Sequence, residues 1–290
     1  MITLSSTGEV LDALQRGRDI SLLAYTLPDG RVLEALDAAA ARGARVRVRL
    51  EGYIYKDDGT VGARNAAAVA KLRAAGADAQ LVHATNDARD PMLHLKAAVI
   101  DGTVFLDDRN WPDDGADTIV RDTFAGDTAI VRDAARGVGD AATRYFSVQK
   151  RQSLALEARL INAAGKGDEV IVESESFGAH NAVYRALEGA ARRGAHVRVL
   201  VNARDLNGNS AEVGAVRALA AKGASIRACD ADEKLAVVNA THGWLGSSNA
   251  TVASGNPDQL DWGARTDNPA LMSHARQAFE SRWATATPAA

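Results

Sequence analysis

His94-Leu95-Lys96-Ala97-Ala98-Val99-Ile100-Asp101-Gly102 is the stretch from which the fold of this 290-residue chain is read. An apolar run closed by Asp-Gly predicts a β-strand entering a tight turn, and alternate residues of a strand share a face. His94 and Lys96 therefore point the same way. An imidazole beside an ammonium makes a site for an anion, and the imidazole is also a candidate nucleophile toward phosphorus.

The spacing recurs in altered form. Asp232-Glu233-Lys234-Leu235-Ala236-Val237-Val238-Asn239 has Asp where the first copy has His and Asn where it has Asp, and Gly246-Ser247-Ser248-Asn249 comes after it. With H-x-K-x4-D and G-S-x-N patterns in tandem, the chain resembles the phospholipase D superfamily over nearly its whole length. The first copy is intact at His94, Lys96 and Asp101, and the second is degenerate.

The order of elements supports a duplication. Asp19 to Tyr25 reads as a strand, Arg31 to Gly43 as a helix with Val32, Leu33 and Leu36 at helical spacing, and Arg45 to Leu50 as an alternating strand. Val61 to Gly76 predicts an Ala-rich helix ending at Gly, and Ala79 to Val82 a strand. Beyond the His94 stretch, Ile119 to Thr123 and Thr128 to Val131 read as strands, and Ala134 to Phe146 as a closing helix. The chain then starts again: Asp168 to Glu173, Ala182 to Gly194, His196 to Val201 and Val213 to Gly223 repeat the series in the same order. Strand-helix-strand alternation predicts an α/β fold with right-handed crossovers. The expected domains are residues 1–149 with the intact pattern and residues 150–290 with the degenerate one. The resemblance implies two mixed-sheet α/β halves related by a pseudo-twofold axis, their motifs facing one cleft. Between Gly76 and His94 the first half has about nine residues more than the second has between Gly223 and Asp232, a candidate lid or a variable surface loop.

By resemblance, the chemistry is phosphodiester cleavage without a metal or other cofactor. A His attacks phosphorus to give a phosphohistidine, the opposite His protonates the leaving alcohol, and water or an alcohol releases the product. His94 would be the nucleophile; Lys96, Lys234, Asn110, Asn249 and Ser247 would hold the phosphate oxygens. An acidic residue downstream of each motif orients the imidazole in this superfamily. Asp122 lies twelve residues after Asn110 and Asp261 twelve after Asn249, which makes Asp261 the candidate partner of His94 Nδ1. Asp101 and Asn239 take a structural role at the turn.

Three departures set the functional question. Asp232 replaces the second His; Asp107-Asp108 replaces Gly-Ser in the first copy; Asn239 replaces Asp. Asp108 would share a face with Asn110 on a strand, and a carboxylate there repels a diester unless Arg109 or Arg121 pairs with it. In the arrangement the resemblance implies, Asp122 would face Asp232 and two carboxyls would meet, and like charges at close range retain a proton. A protonated Asp232 would then serve as the acid.

Composition bounds the rest. A hydrophobic share of 47% with only 5% aromatics predicts small-residue packing of helices on sheets, and a net charge of −3 disfavours nonspecific nucleic-acid binding. Cys229 is alone, which excludes an intrachain disulfide, and no stretch predicts a transmembrane segment or a signal peptide. The expectation is a cytoplasmic protein, a monomer with a pseudo-twofold site rather than an obligate dimer, whose partner is a phosphodiester or other phosphate-containing ligand. Gly137-Val138-Gly139-Asp140 lacks the preceding strand of a dinucleotide loop, and the run Asp107 to Asp117 lacks the pattern of a calcium loop and reads as a solvated acidic loop. His83, His180, His196 and His274 have no partner at motif spacing, while His242 follows Asn239 closely enough to approach the site. Two readings stay open: an active phosphodiesterase or phosphatidyltransferase, and a catalytically degenerate protein that binds a phosphate-containing ligand.

Overall fold

The computed structural model describes residues 2–54, 57–83, 92–111, 118–136, 142–251 and 259–289. The first series of elements is β1 (Ile2–Ser5), α1 (Thr7–Arg16), β2 (Asp19–Ala24), α2 (Arg31–Ala41), β3 (Arg45–Glu51), α3 (Thr60–Ala74), β4 (Asp78–Val82), β5 (Ala97–Ile100), β6 (Thr103–Asp107), β7 (Ile119–Asp122) and α4 (Ala125–Ala134). The second is β8 (Phe146–Gln149), α5 (Lys150–Asn162), β9 (Glu169–Ser174), α6 (Ala182–Arg192), β10 (His196–Asn202), α7 (Ala203–Gly208), α8 (Ser210–Ala220), β11 (Ser225–Cys229), β12 (Leu235–Val238), β13 (His242–Gly246), β14 (Leu260–Thr266), α9 (Pro269–Thr285) and β15 (Thr287–Pro288). They build a seven-stranded sheet, β1-β7-β6-β5-β2-β3-β4, and an eight-stranded sheet, β15-β11-β10-β9-β12-β13-β14-β8. In both, three parallel strands (β2, β3, β4 and β9, β10, β11) continue into an antiparallel series that begins with the motif strand, β5 or β12. The duplicated α/β architecture is thus present.

The local reasons are the same in both copies. Helix α2 buries Val32, Leu33, Leu36, Ala39 and Ala40, and α6 buries Val183, Tyr184, Ala186, Leu187 and Ala190, each a stripe at helical spacing. Both helices run into a glycine at positive φ, Gly43 at 88° and Gly194 at 86°, a backbone setting that a side chain would strain. Alternate residues of the parallel strands, Ile20, Leu22, Val46 and Val48 in one unit and Val170, Val172, Val197 and Val199 in the other, join these stripes in two separate cores.

One compact unit comprises Met1–Thr143, Ser147–Gln149 and Gly255–Trp262; the other comprises Arg144–Phe146, Lys150–Ser254 and Gly263–Ala290. Asp261 and Trp262 therefore belong to the first unit, with the His94 motif, although they come late in the sequence. Two expected elements are corrected. Thr128 to Val131 is not a strand, and the closing helix does not begin at Ala134: α4 spans Ala125–Ala134, and Phe146–Gln149 is a strand. The β-branched run concealed a helical stripe, since Asp127, Ile130, Val131 and Ala134 are buried three, four and seven residues apart. The candidate lid between Gly76 and His94 falls largely, and the Gly137 stretch wholly, outside the described residues, as does the end of the acidic run. Among the described residues no helix is long and apolar enough to cross a membrane.

Asp101 and Asn239 both sit in the left-handed region, at φ 47° and 52°, which Asp and Asn tolerate better than most residues. The Asp101 carboxylate accepts from the backbone N–H of Arg18 at 3.0 Å and of Asp19 at 2.8 Å; Asn239 accepts from Glu169 N–H at 2.9 Å and donates to Asp168 at 2.8 Å. Each thus ties the motif turn to the start of the neighbouring parallel strand. Asp101→Ala is expected to lower unfolding free energy by roughly 1–2 kcal/mol in urea denaturation, and Asp101→Asn by less. Equal losses from both variants would contradict this role.

Candidate active site

His94 is placed by backbone before its side chain is considered. Its N–H donates to Leu260 carbonyl at 3.0 Å, Leu260 N–H donates to Met92 carbonyl at 2.9 Å, and Leu93 forms a parallel bridge with Leu260. The residue after each bridge position, His94 and Asp261, is thereby brought side by side. Asp261 Oδ1 lies 2.7 Å from His94 Nδ1, and Asp261 is fully buried. With Nδ1–H donating to that carboxylate, the ring lone pair sits on Nε2.

Lys96, buried on β5's approach, brings Nζ to 2.9 Å from Nδ1 and 3.0 Å from Nε2 of His94. The buried carboxylate and the buried ammonium thus flank the ring together, and the carboxylate sets its tautomer. Tyr25, just beyond β2, sets its ring 4.9 Å from the His94 ring at an interplanar angle of 58°, and 5.9 Å from Lys96 Nζ. Trp262, next to Asp261 and fully buried, donates Nε1–H to Asp107 carbonyl at 2.7 Å, while Asp107 N–H donates to Lys96 carbonyl at 3.0 Å. Neither Tyr25 nor Trp262 carried a signal in the sequence.

The two aspartates that replace Gly-Ser are absorbed by backbone. Strand β6 ends at Asp107, so Asp108 and Asn110 are not alternate residues of a strand. The Asp107 carboxylate accepts from the N–H groups of Trp111 and Arg109; burial raises its pKa, against the pull of those donors and of Lys96. Asp108 accepts from Thr118 N–H at 3.2 Å, and Asn110 accepts from Thr26 N–H at 3.4 Å.

In the second unit Lys234 is buried, donates to Asp232 carbonyl at 2.6 Å, and pairs with Glu175 at 2.9 Å. Glu175 follows β9 as Tyr25 follows β2, so the second copy has a carboxylate where the first has a phenol ring. Asn249 Nδ2 reaches Glu175 at 3.4 Å and its Oδ1 accepts from Ser176 N–H at 3.3 Å, the counterpart of the Asn110 contact. Ser247 is fully buried and Asp232 half-buried. Glu173, a buried carboxyl of the same unit, has its pKa raised to about 7 by burial, offset by Arg282, which lies 2.9 Å from Glu173 and 3.2 Å from Glu233.

Asp122 and Asp261 do not hold matching positions. Asp107 pairs with Ile119, nine residues after Asn110, whereas its counterpart Gly246 pairs with Gly263, fourteen residues after Asn249. Asp122 lies further along its sheet, across from Val104 and Ile2, accepts from Phe124 N–H at 2.9 Å and shares a hydrogen bond with Asp127. The Asp127 pKa is raised to about 7 by burial and by that neighbour. His242 is exposed and pairs with Asp267 at 2.8 Å.

The family model described as cardiolipin synthase, PLD-like domain matches residues 10–111 and 158–283. Among solved structures, polyphosphate kinase from Porphyromonas gingivalis aligns with a TM-score of 0.71 at 14% identity, covering 98% of this chain and 47% of that one. The chain thus spans about half that protein's length. Phosphatidylserine synthase from Haemophilus influenzae aligns with a TM-score of 0.63 at 13% identity, over 97% of this chain and 86% of that one. Nuc from Salmonella typhimurium, a phospholipase D family member, aligns at 22% identity and a TM-score of 0.42 over 46% of this chain and 88% of its own. At these identities the likeness is one of fold. No curated protein matches the sequence.

The Asp261 contact gives a direct check. In 15N NMR spectra of the neutral ring, His94 is expected to be the Nδ1–H tautomer in the wild-type protein and to lose that preference in Asp261→Ala. An Nε2–H tautomer in the wild-type protein, or an unchanged preference in Asp261→Ala, would contradict the arrangement.

Proposed function

Because the chain belongs to the phospholipase D-like family, whose model matches both copies of its repeat, we propose that it cleaves or transfers a phosphodiester through a phosphohistidine at His94. The observation that carries this reading is the Asp261–His94 contact of 2.7 Å beside the Lys96 ammonium. Asp261 accepts Nδ1–H and leaves the Nε2 lone pair for phosphorus. The Lys96 ammonium, within hydrogen-bond distance of Nε2 at 3.0 Å, gives up that contact on attack and turns to a phosphoryl oxygen, whose growing negative charge it offsets. Attack forms the N–P bond as the P–O bond to the leaving alcohol breaks; water or a second alcohol then takes the phosphoryl group from His94.

The leaving alkoxide needs a proton, and the residue in the place of the second His is Asp232. We assign it the acid's role. Asp122 has another carboxyl neighbour in Asp127, so the shared proton expected for an Asp122–Asp232 pair is not part of this assignment. Lys234, Asn110, Asn249 and Ser247 are proposed to hold phosphate oxygens. The rival reading, a degenerate ligand-binding protein, is favoured by one observation: the Lys234 ammonium is paired with Glu175 at 2.9 Å, which lowers its pull on an anion.

Turnover of two diesters separates the readings. His94→Ala is expected to reduce cleavage of bis(4-nitrophenyl) phosphate by at least about a thousandfold. Asp232→Asn is expected to slow an alkyl diester by roughly a hundredfold or more and the nitrophenyl diester far less, because a good leaving group needs little protonation. If Asp232→Asn leaves the alkyl diester unchanged, Asp232 is not the acid; if the wild-type protein cleaves neither diester while Asp232→His does, the degenerate reading holds.

A further inference from the structure

The two copies differ most beyond their last motif strand. Helix α9 has 17 residues and α4 has 10. The final turns of α9 cover a definite patch of the second sheet. The Arg198 guanidinium lies 5.3 Å from the Phe279 ring centroid and 5.2 Å from that of Trp283, and it donates to Glu280 at 2.9 Å and to Glu169 at 2.8 Å. Arg227 stacks 4.8 Å from the Trp283 ring and donates to its carbonyl at 2.8 Å. An aromatic face and a carboxylate together satisfy this patch.

Register identifies the same patch in the first unit. Arg198 pairs with Ile171 and Arg227 with Leu200; Arg47 pairs with Ser21 and Gln80 with Arg49. Arg47 and Gln80 thus occupy the positions of Arg198 and Arg227, and Leu23 that of Glu173. Helix α4 stops before it can cover them. In its place is a cavity of about 560 Å³, lined by Arg47, Arg49 and Gln80 on the sheet, by Arg136 just past the helix end, and by His83. The volume suits a small organic ligand.

Its charge favours an anion. Arg49 and Arg47 share one carboxylate, Asp78, at 2.9 and 3.4 Å, and Arg136 faces Asp133 at 3.4 Å. The lining carries the three guanidiniums and the His83 imidazole, while their carboxylate partners Asp78, Asp133 and Glu51, the last 2.9 Å from His83, are not part of it. The apolar part of the lining includes Leu93 and Leu260, the bridged residues next to His94 and Asp261. A ligand here rests against the backbone pair that carries the candidate active site.

We propose that this cavity is a second binding site, distinct from the His94 site, for an organic anion bearing an aromatic or similarly flat apolar group. The ring lies on the Arg47 guanidinium as Phe279 and Trp283 lie on Arg198, and the anionic group takes the place of Glu280.

The test uses the full chain and the fluorescent aromatic sulfonate 8-anilinonaphthalene-1-sulfonate. Titration is expected to show saturable binding to one site, with micromolar affinity. The double variant Arg47→Met/Arg136→Met should weaken it at least tenfold, Ala135→Trp should abolish it by filling the cavity, and Asp78→Asn should strengthen it by removing a competing carboxylate. His94→Ala should leave it unchanged, which separates this site from the one proposed for the diester. Circular dichroism checks that each variant is folded; if Ala135→Trp does not fold, the arginine double variant decides. Unchanged binding in the folded cavity variants, loss of binding in His94→Ala, or no saturable binding to the wild-type protein overturns the proposal.

Discussion

A buried carboxylate held 2.7 Å from an imidazole nitrogen fixes which tautomer His94 adopts, and with it which ring nitrogen keeps the lone pair. The contact is made by two segments 167 residues apart, joined at a parallel bridge between Leu93 and Leu260. Around it the side chains serve one arrangement: Lys96 crosses the ring nitrogens, Tyr25 flanks the ring, and Trp262 anchors the neighbouring strand end through Asp107. Burial of Asp261 makes the contact costly to break, since a carboxylate left there without its donor would lie uncompensated in low dielectric.

The second copy keeps the scaffold and changes the side chains it carries. Its motif lysine, turn amide and the asparagine Asn249 sit where the first copy's counterparts sit, but a carboxylate, Glu175, stands in the place of Tyr25, and Asp232 in the place of the imidazole. Two further carboxyls, Glu173 and Glu233, replace the leucines at the corresponding first-copy positions and are held by Arg282 of α9. The longer helix and the buried acids go together: Arg282 is what allows a carboxylate at Glu173 where the first unit has Leu23. One duplication has therefore produced a closed, charge-paired patch in one unit and an open cationic cavity in the other.

The duplication, most of the parallel-strand and helix series, and the His94–Lys96 pair were legible because they depend on local period and on a repeated spacing. Asp261 was reached by counting residues, yet its twelve-residue match to Asp122 is not a match of register, because the segment leading from Asn249 to its sheet partner is five residues longer than the one from Asn110. Counting along the chain does not see pairing across it. Helix α4 was misread because Thr128, Ile130 and Val131 are β-branched, a local preference that its buried stripe overrides. Tyr25, Glu175 and Trp262 gave no signal at all, since Tyr25 and Glu175 lie just past a strand, Trp262 lies within one, and each acts only through tertiary contact.

The central claim is that His94 itself becomes bonded to phosphorus. Rapid acid-free quenching of the protein with bis(4-nitrophenyl) phosphate, followed by peptide mass spectrometry, measures this directly. The account predicts a phosphoryl adduct on the peptide containing His94, stable to base, labile to acid, and much reduced in Asp261→Ala. Diester turnover at full rate with no adduct at any quench time, or an adduct on a different residue, would contradict it.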